Sequence, residues 1–265
     1  MAPFACLTMV NRKENAVSLL GTTVLVTGAG RGLGAALAYV LAENGCKPIL
    51  AGRDVSALKR LSVNIQDRFN ICPDIIQLDL SDTRSVDAAI LKLRGSHDTI
   101  DILINNGAMW LEASDKDHVA QDVLVTINSA VTGTFLLTQG LLPSLLSSPR
   151  PDIVTIGSIS GLPNAALQTV SIPMYAAKRG QSALAEGFAQ MLARTPVRSI
   201  AIHPPYLDDI APGTSEWEMA AARFKGQRGT NRDIAEAVLF AVTRPRHVTL
   251  SITVDADDGG LHPSR

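Results

Sequence analysis

Two rhythms of apolar residues alternate along this chain. Short β-rich runs at Thr22–Thr27, Pro48–Ala51, Ile75–Leu78, Ile100–Ile104, Ile153–Ile156, Ser199–Ile202 and Val248–Val254 read as strands. Between them, stretches of helical length fall near 32–45, 54–67, 82–94, 115–142, 174–194 and 230–242. The strands lack a strict polar alternate, which predicts burial on both faces, as in a parallel sheet. Strand–helix alternation of this kind predicts an α/β fold: a doubly wound sheet of about seven strands with helices on both faces. No internal repeat, low-complexity tract or linker interrupts the pattern, so residues 21–265 are expected to form one domain, preceded by an extension over 1–20.

Composition narrows the function classes. Hydrophobic residues make up 46% of the 265, enough for a packed core. Lys plus Arg number 24 against 25 Asp plus Glu, which argues against nucleic acid or anionic membrane held by bulk charge. Cys6, Cys46 and Cys72 are odd in number and far apart, so neither a disulfide framework nor a metal site is expected, and a reducing, cytoplasmic setting fits. Met1–Val10 is apolar but lacks the basic start and the length of a signal peptide. The uncharged stretches Val123–Pro149 and Ile153–Ala177 contain Asn, Gln and Pro, which hydrocarbon would penalise; buried helix and strand is the expected reading.

The first strand runs into Thr27-Gly28-Ala29-Gly30-Arg31-Gly32-Leu33-Gly34, and a helix follows. In such a turn Gly28 permits the tight bend, Gly32 lets backbone approach a pyrophosphate, and Gly34 allows close packing of helix on strand. The start of the helix offers free N–H groups and the positive end of its dipole to phosphate. A strand before the turn and an amphipathic helix after it predict a dinucleotide site rather than an ordinary loop.

The spacing T-G-x-x-x-G-x-G resembles that of the short-chain dehydrogenase/reductase family, which has a Rossmann-type fold. The resemblance spans residues 22–260. Where an acidic residue would bond both ribose hydroxyls of NAD, the second strand ends in Gly52-Arg53. Arg53 and Arg31 can bracket a 2′-phosphate, so NADP(H) is favoured over NAD(H). Asp79-Leu80 resembles the family's adenine-binding pair, and Asn105-Asn106-Gly107-Ala108 its N-N-A-G turn with the last two residues exchanged.

The resemblance also implies a catalytic set. In the family a Tyr delivers the proton, a Lys four residues on lowers its pKa, a Ser polarises the carbonyl, and an Asn holds a linking water. Asn128 and Ser158 fall where the Asn and Ser belong, with Ser160 an alternative to Ser158. Asn128 can also be read as a satisfied core amide. The Y-x-x-x-K motif is broken: Pro173-Met174-Tyr175-Ala176-Ala177-Lys178 places Met174, not Tyr175, four residues before Lys178. Either an irregular first turn swings Tyr175 toward the substrate, or Met174 faces the nicotinamide and no phenol is available. Lys178 can hydrogen-bond a ribose in both cases.

A second departure follows the sixth strand. Pro204 stands at the family's P-G, beside the carboxamide, but the chain continues Pro205-Tyr206-Leu207-Asp208-Asp209, with Asp209 in place of a Thr. Tyr206, Asp208, Asp209 and Trp217, with Trp110 and Met174, are candidate substrate residues. Carboxylates beside aromatic faces would suit an amine or iminium, while a solvated acidic loop with one core Trp is the plain alternative. His203 reads as a packed histidine. The resemblance implies hydride transfer to or from a C=O or C=N bond of a small molecule, in a homodimer or homotetramer. A non-redox cyclase, dehydratase or pericyclase on the same scaffold, or a cofactor-sensing binding protein, stand as alternatives.

Overall fold

The computed structural model describes residues 18–114, 117–167 and 170–261. Seven strands, β1 (Thr23–Thr27), β2 (Lys47–Gly52), β3 (Asp74–Gln77), β4 (Ile102–Asn105), β5 (Asp152–Ile156), β6 (Arg198–His203) and β7 (Ser251–Thr253), form one sheet. Their order is β3-β2-β1-β4-β5-β6-β7, and every pairing is parallel. The order reverses between β1 and β4. A doubly wound sheet opens a crevice at such a point, beyond the carboxyl ends of the strands.

Helices cover both faces, and their apolar stripes explain which face each takes. On one side α1 (Gly32–Glu43), α2 (Val55–Phe69) and α8 (Asn231–Val242) bury Leu37, Leu41, Leu58, Ile65, Ile234 and Val238 against Val24, Val26, Ile102 and Ile104. On the other, α3 (Thr83–Ser96), α5 (Thr134–Leu146) and α6 (Ile172–Met191) bury Val86, Leu93, Leu137, Leu141 and Phe188 against Leu25, Ile49, Leu103 and Ile153. Alternate residues of the central strands thus serve opposite cores, so those strands carry no polar face; the edge strands β3 and β7 expose Asp74, Gln77, Ser251 and Thr253. Leu19, inside the expected N-terminal extension, is buried in the first core; residues 1–17 lie outside the described residues.

Local chemistry sets several boundaries. Asp54 caps α2 by accepting from the Ala57 amide, and Thr230 and Asp233 close a reciprocal capping box on α8. Ser171 accepts from the Met174 amide at the start of α6, with Pro173 in its first turn.

The single helix predicted over 115–142 is three segments, and positions 115–116 are outside the described residues. These are α4 (Ala120–Ile127), a π-helical turn (Asn128–Gly133) and α5. A methyl group on Gly133 would collide with the Leu80 carbonyl, so the loop after β3 packs directly on the helix at the π-helical turn. Such π-turns are wide, and they frequently sit at functional sites. By length and composition Ala120–Leu146 could cross a membrane, but half of its most apolar stretch is buried in the fold. The strand predicted over Val248–Val254 shrinks to three residues. A short helix that the apolar pattern does not predict, α7 (Ser215–Met219), precedes α8.

An ionic knot fastens the sheet at the end opposite the crevice. Arg198 bonds both oxygens of Asp152 at 2.8 and 2.6 Å and donates to the carbonyls of Val242, Arg244, Pro245 and Val248. Arg246 adds a second contact to Asp152. Asp152 and Arg198 are both buried, so removing one partner strands a charge. Asp152→Ala is therefore expected to lower stability by about 3–5 kcal/mol, measured as a shift in the urea midpoint at constant slope.

Candidate active site

The crevice between β1 and β4 is a cleft of about 850 Å³, and the glycine-rich turn forms its floor. Gly28 and Gly32 have φ of +67° and +53°, a region costly for other residues. A Cβ on Gly34 would run into the Gly28 carbonyl, and one on Gly28 would lie 2.9 Å from Gly107 Cα. The turn therefore locks β1, α1 and the loop after β4 together. Thr27 completes the lock: its hydroxyl donates to the Ile104 carbonyl and accepts from the amides of Asn106 and Gly107.

This floor fits a phosphate group. The first turn of α1 has no acidic residue and no side-chain cap, so its amides and the positive end of its dipole are available. Arg31 and Arg53 both line the cleft, joined by Arg60 of α2. Arg60 is a residue that sequence reasoning missed. It lies three positions after the cleft residue Ala57, a helical spacing that places both on one face. Leu33, Asp79, Leu80 and Gly107 also line the cleft. The Asp79 carboxylate accepts from the amide and hydroxyl of Ser81, which holds its side chain in place.

Of the two asparagines at the end of β4, it is Asn106 that faces the cleft. Asn105, the predicted cofactor contact, turns under the sheet and donates to Thr138 of α5 at 2.9 Å. Strand alternation dictates this, because Asn105 shares a face with Leu103 and that face packs on α5. Ser129, also missed, lines the cleft and accepts from the Met109 amide, fixing the wall beside Trp110. Pro204 is buried behind the cleft, its carbonyl accepting from the Ile159 amide.

Two of the predicted catalytic residues, Ser158 and Lys178, stand at the carboxyl end of β5. Ser158 follows that strand and accepts from the Ser160 amide; Ser160 itself is buried. Lys178 is buried and its ammonium donates to the Ile156 carbonyl at 3.3 Å and to Gln181 Oε1 at 2.8 Å. Burial pushes its pKa down to about 8. Gln181, a third missed residue, is fully buried, and its own Nε2 has no partner among the described residues. His203, nearby on β6, is held neutral by burial, consistent with a packed histidine. Asn128 begins the π-turn, its Oδ1 accepting from Thr132.

The broken motif resolves into two different environments. Met174 is buried, whereas the Tyr175 hydroxyl donates to the Ala165 carbonyl at 3.1 Å and so is tied to the loop after β5. The first turn of α6 is regular: the Tyr175 amide bonds the Ser171 carbonyl at 2.9 Å. No irregularity swings the phenol round.

The loop after β6 divides the candidate substrate residues. Trp110 and Tyr206 are exposed and meet edge to face, with ring centroids 6.1 Å apart, and Arg228 lies over the Tyr206 ring. Asp208 is committed to Arg223 at 2.8 Å and Arg228 at 3.6 Å. Asp209 reaches the cleft and lies over Gly32. Trp217 is corrected from substrate wall to core: it is 2% exposed, packs edge-on to Tyr39, and carries Arg232 on its face. The plain reading of one core Trp in this loop is the one the structure shows.

Residues 22–218 match the family described as short chain dehydrogenase. An uncharacterized oxidoreductase of Staphylococcus saprophyticus is 31% identical over 237 residues, covering 89% of this chain and 97% of that protein. An NADP-dependent 3-hydroxy acid dehydrogenase of Schizosaccharomyces pombe is 30% identical over 249 residues, covering 88% and 92%. Among solved structures, L-sorbose reductase from Gluconobacter frateurii, complexed with NADPH and L-sorbose, superposes with a TM-score of 0.78 at 17% identity, covering 94% of this chain and all of that one. At that identity the likeness shows the fold.

Lys178 gives a pH signature that does not depend on activity. Its folded-state pKa of about 8 lies below the ordinary 10.5, so between those values the unfolded chain binds more protons and folding gains as pH rises. Wild type should therefore gain stability relative to Lys178→Met from pH 8 to 10.5, measured by chemical denaturation at each pH.

Proposed function

Because this chain belongs to the short-chain dehydrogenase/reductase family, we propose that it uses NADP(H) to reduce or form a carbonyl group on a small molecule. The observation that carries this reading is the cleft itself. A glycine turn and a bare helix start form its floor, and Arg31, Arg53 and Arg60 line it together, a set of cations suited to an adenosine 2′-phosphate. Glycine at position 52 leaves that space open. The bound nicotinamide would supply or accept hydride at carbon; the rest of the chemistry falls to the chain.

In this reading Ser158, just after β5, donates a hydrogen bond to the carbonyl oxygen as charge develops on it. The proton that oxygen must gain comes from Lys178. Its buried ammonium bonds the Ile156 carbonyl at the end of β5, two residues before Ser158. Burial lowers the lysine's pKa to about 8, and Met174 stands four residues before it in the sequence, where the family has its tyrosine. Gln181 and the Ile156 carbonyl hold it there. Asn128, at the π-turn, carries the water link to solvent that recharges the lysine.

Trp110 and Tyr206 form the aromatic wall for the substrate. With Asp208 neutralised by Arg223 and Arg228, the loop offers less to a cationic amine than its sequence suggests, and a neutral or anionic carbonyl compound fits better. A hydroxy acid is the first substrate class to try, by analogy with the fission-yeast relative. Exposed Leu124, Phe135 and Ile172, on α4, α5 and α6, support pairing with a second copy of the chain.

Loss of NADPH absorbance over panels of ketoacids, ketoses and cyclic imines tests the reading, and absence of turnover on all three would overturn it. Tyr175→Phe should keep kcat within about threefold, while Lys178→Met should lose at least about 100-fold. Arg53→Ala should weaken NADPH binding by about tenfold and leave NADH nearly unchanged.

A further inference from the structure

Asp209 has no role in the chemistry above, yet its carboxylate lies in the cleft against Gly32. A Cβ built on Gly32 would lie 2.5 Å from its Oδ2 and 3.0 Å from its Oδ1 and Cγ. Gly32 is the first residue of α1, a helix that has no side-chain cap of its own and no acidic residue in its first turn. The carboxylate that meets it comes from a loop 177 positions along the chain (209 minus 32). It therefore stands over the seat that the glycine turn reserves for phosphate.

We propose that Asp209 is an internal competitor for the phosphate seat, an anionic latch that a dinucleotide must displace before it can bind. This rests on the dinucleotide reading of the cleft. The physics is exclusion and like charge. Two carboxylate oxygens against Gly32 fill the space a pyrophosphate needs, and a negative group left beside it would repel it. The latch is held weakly enough to move: Asp209 is exposed on its outer side and, among the described residues, accepts no hydrogen bond. Its charged surroundings are mixed. Arg31 favours the carboxylate, Asp208 opposes it and is itself held by Arg223 and Arg228, and Arg53, Arg60, Asp54 and Asp79 line the rest of the cleft. Desolvation is the largest influence and raises its pKa.

Calorimetric titration of the full-length chain with NADPH tests the latch without reference to turnover. Asp209→Asn and Asp209→Thr should each bind NADPH about tenfold tighter than wild type at neutral pH. The advantage should shrink as pH falls, because burial raises the Asp209 pKa and its charge is lost at a higher pH than that of a free carboxylate. Adenosine 2′-monophosphate, which has no pyrophosphate to place over Gly32, should bind all three proteins equally. Wild type binding NADPH as tightly as both variants, or more tightly, would overturn the latch and leave the dinucleotide reading standing. Silence with NADPH in all three proteins would overturn both.

Discussion

A bend with no room for a methyl group governs this molecule. Gly34 packs so closely on the Gly28 carbonyl, and Gly28 on Gly107, that β1, α1 and the loop after β4 can meet in one way only. That closure aims the start of α1 into the crevice where the strand order reverses. It also leaves the helix amides without a side chain to satisfy them. The cleft, its arginines and the latch at Asp209 all take their positions from it.

The site is assembled from polar groups that the fold commits elsewhere as well. Thr27 spends its hydroxyl on three backbone groups, Asn106 donates its amide to the Thr27 carbonyl, and Lys178 is divided between Gln181 and the Ile156 carbonyl. These bonds hold the groups within reach of a ligand before one arrives, so little order remains to be imposed on binding. Arg198 and Asp152 play the corresponding part at the opposite end of the sheet, joining β5, β6 and the end of α8, so the catalytic end can stay open.

Loss of a phenol at the expected position changes what the remaining groups must do. A tyrosine four residues before Lys178 would share the lysine's charge and pass the proton on. Met174 can do neither, and Tyr175 is one step of about 100° round the helix, bonded to Ala165. Burial is the influence on the lysine's proton affinity, and it lowers that affinity.

Much of this was legible in the order of residues. Unbroken Val, Ile and Leu runs indicated a two-sided parallel sheet, and the glycine spacing between a strand and a helix marked the cleft, because both are local patterns imposed by backbone geometry. Arg31, Arg53, Asp79 and the Met174–Lys178 spacing could be read for the same reason. What the sequence left open depends on which segments meet. Strand alternation against α5 sends Asn105 inward and leaves Asn106 for the cleft, and packing against Tyr39 draws Trp217 into the core. Asp209 meets Gly32 across a separation of 177 positions (209 minus 32), a contact no local pattern can encode. Backbone preferences are written residue by residue, whereas the partner of a side chain is decided only when the sheet closes and brings distant loops to one edge.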